Sequence, residues 1–318
     1  MKIVLLDSNT LGKDIDLSIF EQYGEFVTYD KSTKEEAIDR VKDADIVITN
    51  KVIMDAETLS QANNLKLICL TATGYNNVDL EYTNNNNIVV TNVRGYSTPT
   101  VMQHTFAMLF YLLHRLRHYD EYVKSGEYIQ SEAFTYLGES FNDLALMTYG
   151  IIGLGAIGKE VAKVAKAFGC KVIYYSTSGK NNDSEYERVE LSTLLKTSDI
   201  ISIHAPLNDN TKNLINIDTL KQMKKSAILL NLGRGPIIKE DDLAYALKND
   251  IIKAAGLDVL VQEPMTQDNP LYEIKDSRKL LITPHMAWGS VEARNRLIAE
   301  VAKNIDGYLN KEYRNVVK

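Results

Sequence analysis

The sequence predicts an α/β protein built from parallel sheets with helices on both faces. Short apolar runs recur along the whole chain, and patterns typical of helices separate them. The runs are almost continuously apolar instead of alternating with polar residues, which is typical of strands covered on both faces of a sheet. A length of 318 residues, at roughly 100–200 residues per domain, further predicts two domains.

The predicted elements follow one another in a regular order. Thr98 can cap a helix that has Pro99 in its first turn, and Ser290 can cap the helical pattern that follows it. The polar segment from Ser176 to Glu187 is typical of a loop. The predicted strands occupy residues 2–7, 45–49, 65–70, 87–90, 150–153, 171–175, 199–206, 227–232, 253–259 and 280–285.

Composition argues against several classes of function. Apolar residues make up 45% and charged residues 25%, as in chains that fold. The net charge is −6, and no cluster of Lys and Arg suits a nucleic-acid partner. No apolar run approaches the roughly 20 residues that span a bilayer, and the opening MKIVLLD is too short for a signal peptide. Cys69 and Cys170 lie in or beside apolar runs, as buried thiols do. We therefore expect a cytoplasmic protein that binds neither nucleic acid nor membranes.

A glycine motif lies between a predicted strand and a helix. The segment Gly153-Leu154-Gly155-Ala156-Ile157-Gly158 has the spacing of dinucleotide-binding folds in the strand–turn–helix context that such binding requires. The first glycine permits the tight turn, the second lets the backbone approach a pyrophosphate, and the third lets the helix pack against the strand. The amino end of that helix offers unpaired N–H groups to phosphates. We therefore expect an NAD(P) cofactor.

The end of the next predicted strand bears on which dinucleotide is used. Dinucleotide folds usually have Asp or Glu there, to accept hydrogen bonds from the ribose 2′-OH. This chain has Ser176, Thr177 and Ser178, then Lys180, and no acidic residue before Asp183. Hydroxyl groups and a lysine can donate to a 2′-phosphate, so the segment favours NADPH slightly over NADH. In the alternative, Ser176 is a neutral partner of the 2′-OH and the cofactor is NADH.

Three polar residues, which we call the catalytic trio, follow consecutive predicted strands. Arg234 follows the strand at 227–232, Glu263 follows the one at 253–259, and His285 ends the one at 280–285. Open α/β sheets place their sites at such carboxyl ends of strands. Arg can donate two parallel hydrogen bonds to a carboxylate, and a His oriented by a carboxylate can exchange a proton near neutral pH. The trio predicts a carboxylate-binding site with a general acid/base pair.

Several motifs, in this order, resemble those of D-isomer-specific 2-hydroxyacid dehydrogenases, and the resemblance covers nearly all of the chain. They are IIGLGAIG at 151–158, HAPLNDNT at 204–211, NLGRGPII at 231–238, AAGLDVLVQEP at 254–264 and TPHMAW at 283–288. The segments TATGYNNVDL at 71–80 and NVRGYSTPTVMQHTFAMLFYLL at 92–113 are similar to the glycerate dehydrogenase/hydroxypyruvate reductase branch. Two departures are Ser176, where many members have Asp, and Leu146-Met147 in place of the usual Gly-Lys.

The resemblance implies roles for individual residues. Arg234 is expected to bind and activate the substrate, and His285, with Glu263 as its partner, to act as acid in reduction and base in oxidation. The Thr73-Gly74 turn is expected to donate backbone N–H groups to the substrate carboxylate, with Lys51 near the substrate side chain. The implied cofactor-binding residues are the glycine motif, Ser176, Thr177, Ser178, Pro206, Thr211, Leu232 and Asp258.

The resemblance also implies two doubly wound parallel-sheet domains. A Rossmann domain that binds NAD(P), residues 100–287, is expected to be inserted into a flavodoxin-like substrate domain, residues 1–99 plus 288–318, with the catalytic cleft between them. The family further implies a homodimer formed through the nucleotide-binding domain.

The remaining histidines and the single tryptophan receive no catalytic role. His114 and His118 are four residues apart and could share a helix face, as metal ligands do, but they lie among arginines, so we expect no metal site. We expect His104 to be structural and His204 to shape the cofactor cleft. Trp288 lies either near the substrate or an interdomain hinge, or in an ordinary core.

The predicted reaction is the reversible, NAD(P)H-dependent reduction of a small 2-keto acid, hydroxypyruvate or glyoxylate, to the D-2-hydroxy acid. Two alternatives stay open. One is a dehydrogenase for another D-2-hydroxy acid such as D-lactate. The other is a non-catalytic dinucleotide-sensing binding protein of the same fold.

Overall fold

The computed structural model describes residues 1–317 and divides into two units. The five-stranded unit comprises Met1–Ser97 and the segment that begins at Gly289. The seven-stranded unit comprises Thr98–Trp288. Neighbouring strands within each sheet are parallel, so the predicted α/β class with two parallel sheets is confirmed.

The strands are short and the helices range from one turn to five. In chain order the strands are β1 (Lys2–Leu5), β2 (Glu25–Thr28), β3 (Ile46–Thr49), β4 (Leu67–Leu70), β5 (Val89–Thr91), β6 (Thr148–Ile152), β7 (Lys171–Tyr175), β8 (Glu187–Arg188), β9 (Ile200–Ile203), β10 (Ile228–Asn231), β11 (Ala254–Leu257) and β12 (Leu280–Ile282). The helices are α1 (Lys34–Arg40), α2 (Ala56–Leu59), α3 (Leu80–Asn85), α4 (Thr98–Leu113), α5 (Leu116–Lys124), α6 (Ala156–Ala167), α7 (Leu191–Thr197), α8 (Ile217–Leu220), α9 (Glu240–Lys248) and α10 (Val291–Leu309).

The five-stranded unit has the strand order β2-β1-β3-β4-β5, which is that of flavodoxin-like folds. Every residue of β3 and β4 is buried, as their continuous apolar runs predict. The last helix, α10, begins after Ser290, whose hydroxyl accepts a hydrogen bond from the Ala293 N–H at 3.1 Å. The edge strand β2 is absent from the sequence prediction because its residues are only partly buried.

The seven-stranded unit has the order β12-β11-β10-β9-β6-β7-β8, the doubly wound order of a Rossmann fold. Alternate residues of β10 enter different apolar clusters: Leu229 packs in one, and Ile228 and Leu230 in the other. Both faces of the strand are therefore covered, which explains its uninterrupted apolar run. The predicted loop over 176–187 is wrong at its last residue, because Glu187 begins β8, an exposed edge strand.

The helix at the start of this unit is interrupted. Helix α4 ends at Leu113, and Arg115 has a φ of 51°, in the left-handed region, before α5 begins. His114 and His118 therefore lie on opposite sides of a break and do not share one continuous helix. Within residues 1–317, no helix is both long and apolar enough to span a membrane.

Candidate active site

The glycine turn joins β6 directly to α6. Gly153 has a φ of 93°, which favours glycine, and its N–H donates to the Tyr175 carbonyl oxygen at 3.0 Å. Gly155 immediately precedes α6, and a Cβ built on it meets no atom within 4 Å. Open space beside the first N–H groups of a 12-residue helix suits a pyrophosphate. The residues present therefore fit a dinucleotide.

The loop after β9 lies against this turn, at the point where the strand order of the sheet reverses. A Cβ on Gly153 approaches the Ala205 Cα to 2.9 Å. The buried Thr211 hydroxyl donates to the Pro206 carbonyl oxygen and accepts from the Asn208 N–H, both at 2.8 Å. Thr211 thus fixes the loop from inside, whereas Pro206 is exposed on it. Ligands of open α/β sheets bind at such a switch point.

The segment after β7 folds back on itself. Ser176 is buried, and its hydroxyl accepts a hydrogen bond from the Asn181 N–H at 3.4 Å, while Ser178 is exposed. The Arg188 guanidinium of the next strand donates to the Gly179 carbonyl oxygen at 2.9 Å. Arg188 carries no signal in the sequence, because only the parallel pairing of β7 with β8 shows that it lies beside this segment.

Arg234 lies in a tight loop that follows β10. The buried Asn231 side chain accepts from the Gly233 N–H and donates to the Arg234 carbonyl oxygen, both at 3.0 Å. The exposed guanidinium contacts the Gly233 carbonyl oxygen and has no acidic partner among residues 1–317. It is therefore able to bind an external carboxylate.

Glu263 and His285 are in direct contact. His285 Nδ1 lies 2.7 Å from Glu263 Oε2, and Glu263 Oε1 accepts the Leu260 N–H at 2.9 Å. A Cβ on Gly235 would overlap the Leu260 backbone, so glycine lets the Arg234 loop pack against the loop that leads to Glu263. The trio thus follows three neighbouring strands, β10, β11 and β12, which sheets space about 4.8 Å apart.

A buried carboxylate fixes the backbone of the His285 loop. Asp258 accepts hydrogen bonds from the Thr283 hydroxyl at 2.6 Å and from the N–H groups of Met286 and Ala287 at 2.9 Å. His104 on α4 contacts the same Thr283 hydroxyl at 3.1 Å. His285 itself has a φ of 53°, an uncommon conformation for a non-glycine residue. The hydrogen bonds to Asp258 hold this conformation in place.

The other predicted substrate residues follow strands of the five-stranded unit. The buried Asp7 carboxylate accepts from the N–H groups of Asn50 and Lys51, at 3.0 and 2.7 Å. Burial raises the pKa of Asp7, and these N–H groups oppose that rise. Asp7 was missed in the sequence, although its position directly after an apolar run is the signal that identified other site residues.

The Thr73-Gly74 turn in this unit is held by its own hydrogen bonds. The Thr73 hydroxyl donates to the Val93 carbonyl oxygen and the Asn92 amide donates to the Thr73 carbonyl oxygen, both at 2.7 Å. The N–H groups of Thr73 and Gly74 have no partner within residues 1–317. They are available as donors.

The seven-stranded unit also contains three residues without a predicted catalytic role, Trp288, His204 and Leu232. Trp288 is half-buried and packs against an apolar cluster of the seven-stranded unit. His204 follows β9, and its Nε2 contacts the Ser202 hydroxyl at 3.0 Å. Burial lowers the pKa of His204 to about 3, so its ring is neutral at pH 7. Leu232 is buried directly after β10.

The sequence matches one family profile over most of the seven-stranded unit. Residues 106–287 match the D-isomer specific 2-hydroxyacid dehydrogenase, NAD binding domain. The chain belongs to this family. The prediction made from the motifs is confirmed, and the protein is an NAD(P)-dependent D-2-hydroxyacid dehydrogenase, an oxidoreductase.

Similar proteins match this family member over its whole length. It is 38% identical to the glycerate dehydrogenase of Methylorubrum extorquens, with 100% of this chain and 99% of that protein covered. Identity to the hydroxypyruvate reductase of Blautia hydrogenotrophica is also 38%, with the same coverage. Among solved structures, an acyclic imino acid reductase (Bsp5) in complex with NADPH and D-Arg has a TM-score of 0.88 at 32% identity, and both chains are fully covered. D-Lactate dehydrogenase from Aquifex aeolicus, complexed with NAD and lactic acid, has a TM-score of 0.85 at 26% identity and covers 98% of this chain and 96% of its own.

Proposed function

We propose that this dehydrogenase reduces hydroxypyruvate or glyoxylate to the D-2-hydroxy acid, reversibly, with His285 as the general acid and base. The observation that supports this most directly is the 2.7 Å contact between His285 Nδ1 and Glu263 Oε2. It orients the ring so that Nε2 is the proton donor. The names of relatives that match over the full length support the substrate class.

In the proposed mechanism, the Arg234 guanidinium binds the substrate carboxylate through two parallel hydrogen bonds. The backbone of Thr73-Gly74 contributes further donors, and Lys51 contacts the substrate side chain. When bound at the glycine turn and the segments near Ser176, Pro206, Leu232 and Asp258, the reduced cofactor supplies the hydride. His285 Nε2 gives its proton to the developing alkoxide, and Glu263 stabilises the imidazolium that donates it.

Initial rates with three keto acids test the substrate. We expect kcat/KM for hydroxypyruvate or glyoxylate to exceed that for pyruvate by at least about tenfold, because one substrate contact is typically worth that factor. NAD(P)H absorbance measures the rates. A pyruvate preference of the same size contradicts the proposal and favours D-lactate as the product.

For the cofactor we propose a slight preference for NADPH over NADH. No carboxylate lies between Ser176 and Lys180, and the Arg188 guanidinium lies against this segment. Introducing a charge with Ser176→Asp should shift the ratio of kcat/KM values toward NADH by about tenfold, because an acid repels a 2′-phosphate and accepts from a 2′-OH. Asp183→Asn is the control, since Asp183 is paired with Lys159. A tenfold preference of the wild type for NADH contradicts the proposal.

We propose that the protein is a homodimer formed through the seven-stranded unit. The segment from α5 to β6 exposes large apolar side chains: Ile129 is 81%, Phe134 91%, Leu137 79% and Leu146 90% exposed. Such a group of exposed apolar side chains indicates a protein interface. Light scattering after gel filtration should give twice the chain mass of 35.8 kDa, and Phe134→Asp should lower the measured mass.

We also propose a cytoplasmic location, because Cys69 and Cys170 are buried free thiols.

A further inference from the structure

A second charged region lies at the amino ends of β10, β11 and β12. Lys225, Lys253 and Lys279 precede these three strands, whereas the catalytic trio follows them. Because the strands are parallel, their amino ends share one edge of the sheet and their carboxyl ends the other. The region is therefore on the edge opposite the trio and separate from the proposed reaction.

This region surrounds a cavity of about 400 Å³, which we call the amino-edge cavity. Its volume is in the range of small-molecule sites. Five basic and three acidic side chains line it. Each carboxylate is already paired: Glu139 with Arg115 and Arg278, Asp276 with Arg278, and Asp250 with Lys279. The lining therefore has an excess of two positive charges.

Two lysines account for that excess. Lys225 is exposed and Lys253 is half-buried, and neither forms an ion pair with a carboxylate within the described part of the chain. Burial first, and the neighbouring Arg115 second, lower the pKa of Lys253, while the negative charge of Glu139 opposes this shift. A partly desolvated ammonium beside a second cation is unfavourable unless an anion accompanies it. Because Glu139 is shared with Arg115 and Arg278, it offsets this cost only in part, and a bound anion lowers it further.

We propose that the amino-edge cavity binds a small oxyanion with at least two negative charges, through Lys253 and Lys225. A phosphate monoester and a di- or tricarboxylate both supply this chemistry. Lysine suits it because the ammonium is a point charge that accepts either kind of oxygen without a fixed geometry. Arg278 is unsuited to the task, because its fork already donates to Asp276.

Calorimetric titration with inorganic phosphate and with citrate tests the proposal. The protein is saturated with NADPH beforehand, so that phosphate cannot bind at the glycine turn, and sodium chloride at equal ionic strength is the blank. We expect saturable binding of at least one anion, and Lys253→Met should weaken it about tenfold or more, since the variant loses a charged hydrogen-bond donor to the anion. The tighter of the two anions identifies the ligand class.

Two variants keep the test specific. Lys13→Met removes an exposed lysine of the five-stranded unit that has no acidic partner among residues 1–317, and should bind as the wild type does. Lys225→Met should weaken binding as Lys253→Met does, and is informative even if Lys253→Met folds poorly. Thermal unfolding checks the folding of each variant. No binding beyond the chloride blank, or wild-type binding by both Lys253→Met and Lys225→Met, overturns the proposal.

Discussion

At the carboxyl edge of the seven-stranded sheet, the groups proposed for chemistry are side chains, whereas at the carboxyl edge of the five-stranded sheet they are mainly backbone N–H groups. His285, Glu263 and Arg234 have their functional atoms at least partly exposed. In the five-stranded unit, Asp7 and Asn92 are buried and use their hydrogen bonds to hold the backbone of neighbouring loops.

This difference separates two ways of building a site. A side chain that transfers a proton or pairs with a carboxylate loses that function when the residue is substituted. A backbone N–H persists through substitution, so it changes only when the hydrogen bonds that position it are lost. Variants at the carboxyl edge of the seven-stranded sheet should therefore affect kcat most. Variants at the carboxyl edge of the five-stranded sheet should affect KM.

The largest effect is expected at the carboxyl edge of the seven-stranded sheet, where side chains are proposed to carry the chemistry. His285→Ala should lower kcat for reduction by about 100-fold or more, because general acid catalysis typically contributes that factor. KM should change little, since proton donation matters only in the transition state. Steady-state kinetics with hydroxypyruvate measures both, and His114→Ala is the control in the same unit. If His285→Ala keeps more than about one-tenth of kcat, His285 is not the general acid.

The next effect concerns carboxylate recognition. Arg234→Lys should lower kcat/KM by about 10- to 100-fold, because an ammonium cannot replace the planar two-donor fork and charged hydrogen bonds contribute about 1.5–3 kcal/mol. Arg278→Lys, at the opposite edge of the sheet, is the matched control and should have wild-type kinetics. Equal kinetics for the two variants would exclude Arg234 from substrate binding.

A smaller effect is expected at the carboxyl edge of the five-stranded sheet, where backbone N–H groups are proposed to bind the substrate. Thr73→Val removes the 2.7 Å hydrogen bond from the hydroxyl to the Val93 carbonyl oxygen while keeping the side-chain shape. We expect KM to rise about fivefold, since one neutral hydrogen bond contributes roughly 1 kcal/mol, with kcat nearly unchanged. Thr197→Val is the comparison variant, because it also removes a hydrogen bond from a threonine hydroxyl to a backbone carbonyl oxygen, that of Thr193 at 2.8 Å. A fall in kcat at constant KM would contradict the distinction between the two edges.

A separate effect, on stability instead of kinetics, is expected from His204. Its folded-state pKa of about 3 lies below the unfolded value of 6.5. The unfolded chain therefore binds more protons below pH 6.5, so the free energy of unfolding should fall as the pH drops from 6.5 toward 3, by up to about 1.4 kcal/mol per pH unit. Urea unfolding at several pH values measures this. His204→Gln, which keeps a polar group near Ser202, should show a smaller fall in the free energy of unfolding per pH unit. If the fall is unchanged, residues other than His204 cause the acid sensitivity.

Much of the architecture could be predicted from residue patterns. Buried parallel strands such as β3, β4 and β10 were found because both of their faces are covered and their runs are therefore apolar throughout. The edge strands β2 and β8 were missed because edge residues are partly exposed and resemble a loop. The break at Arg115 was missed for a different reason: a left-handed φ at an arginine leaves no mark in the hydrophobic pattern.

The sequence by itself determined the family, the two parallel-sheet folds and the residue types at the site, because apolar periodicity, glycine spacing and the polar residues that follow strands are local properties of the chain. Only the tertiary structure decided which groups meet. The contact between His285 and Glu263, the hydrogen bonds of Asp258 to the 283–287 loop, and the unpaired lysines of the amino-edge cavity join residues far apart in sequence. Such pairings depend on strand order and register, which no local pattern encodes.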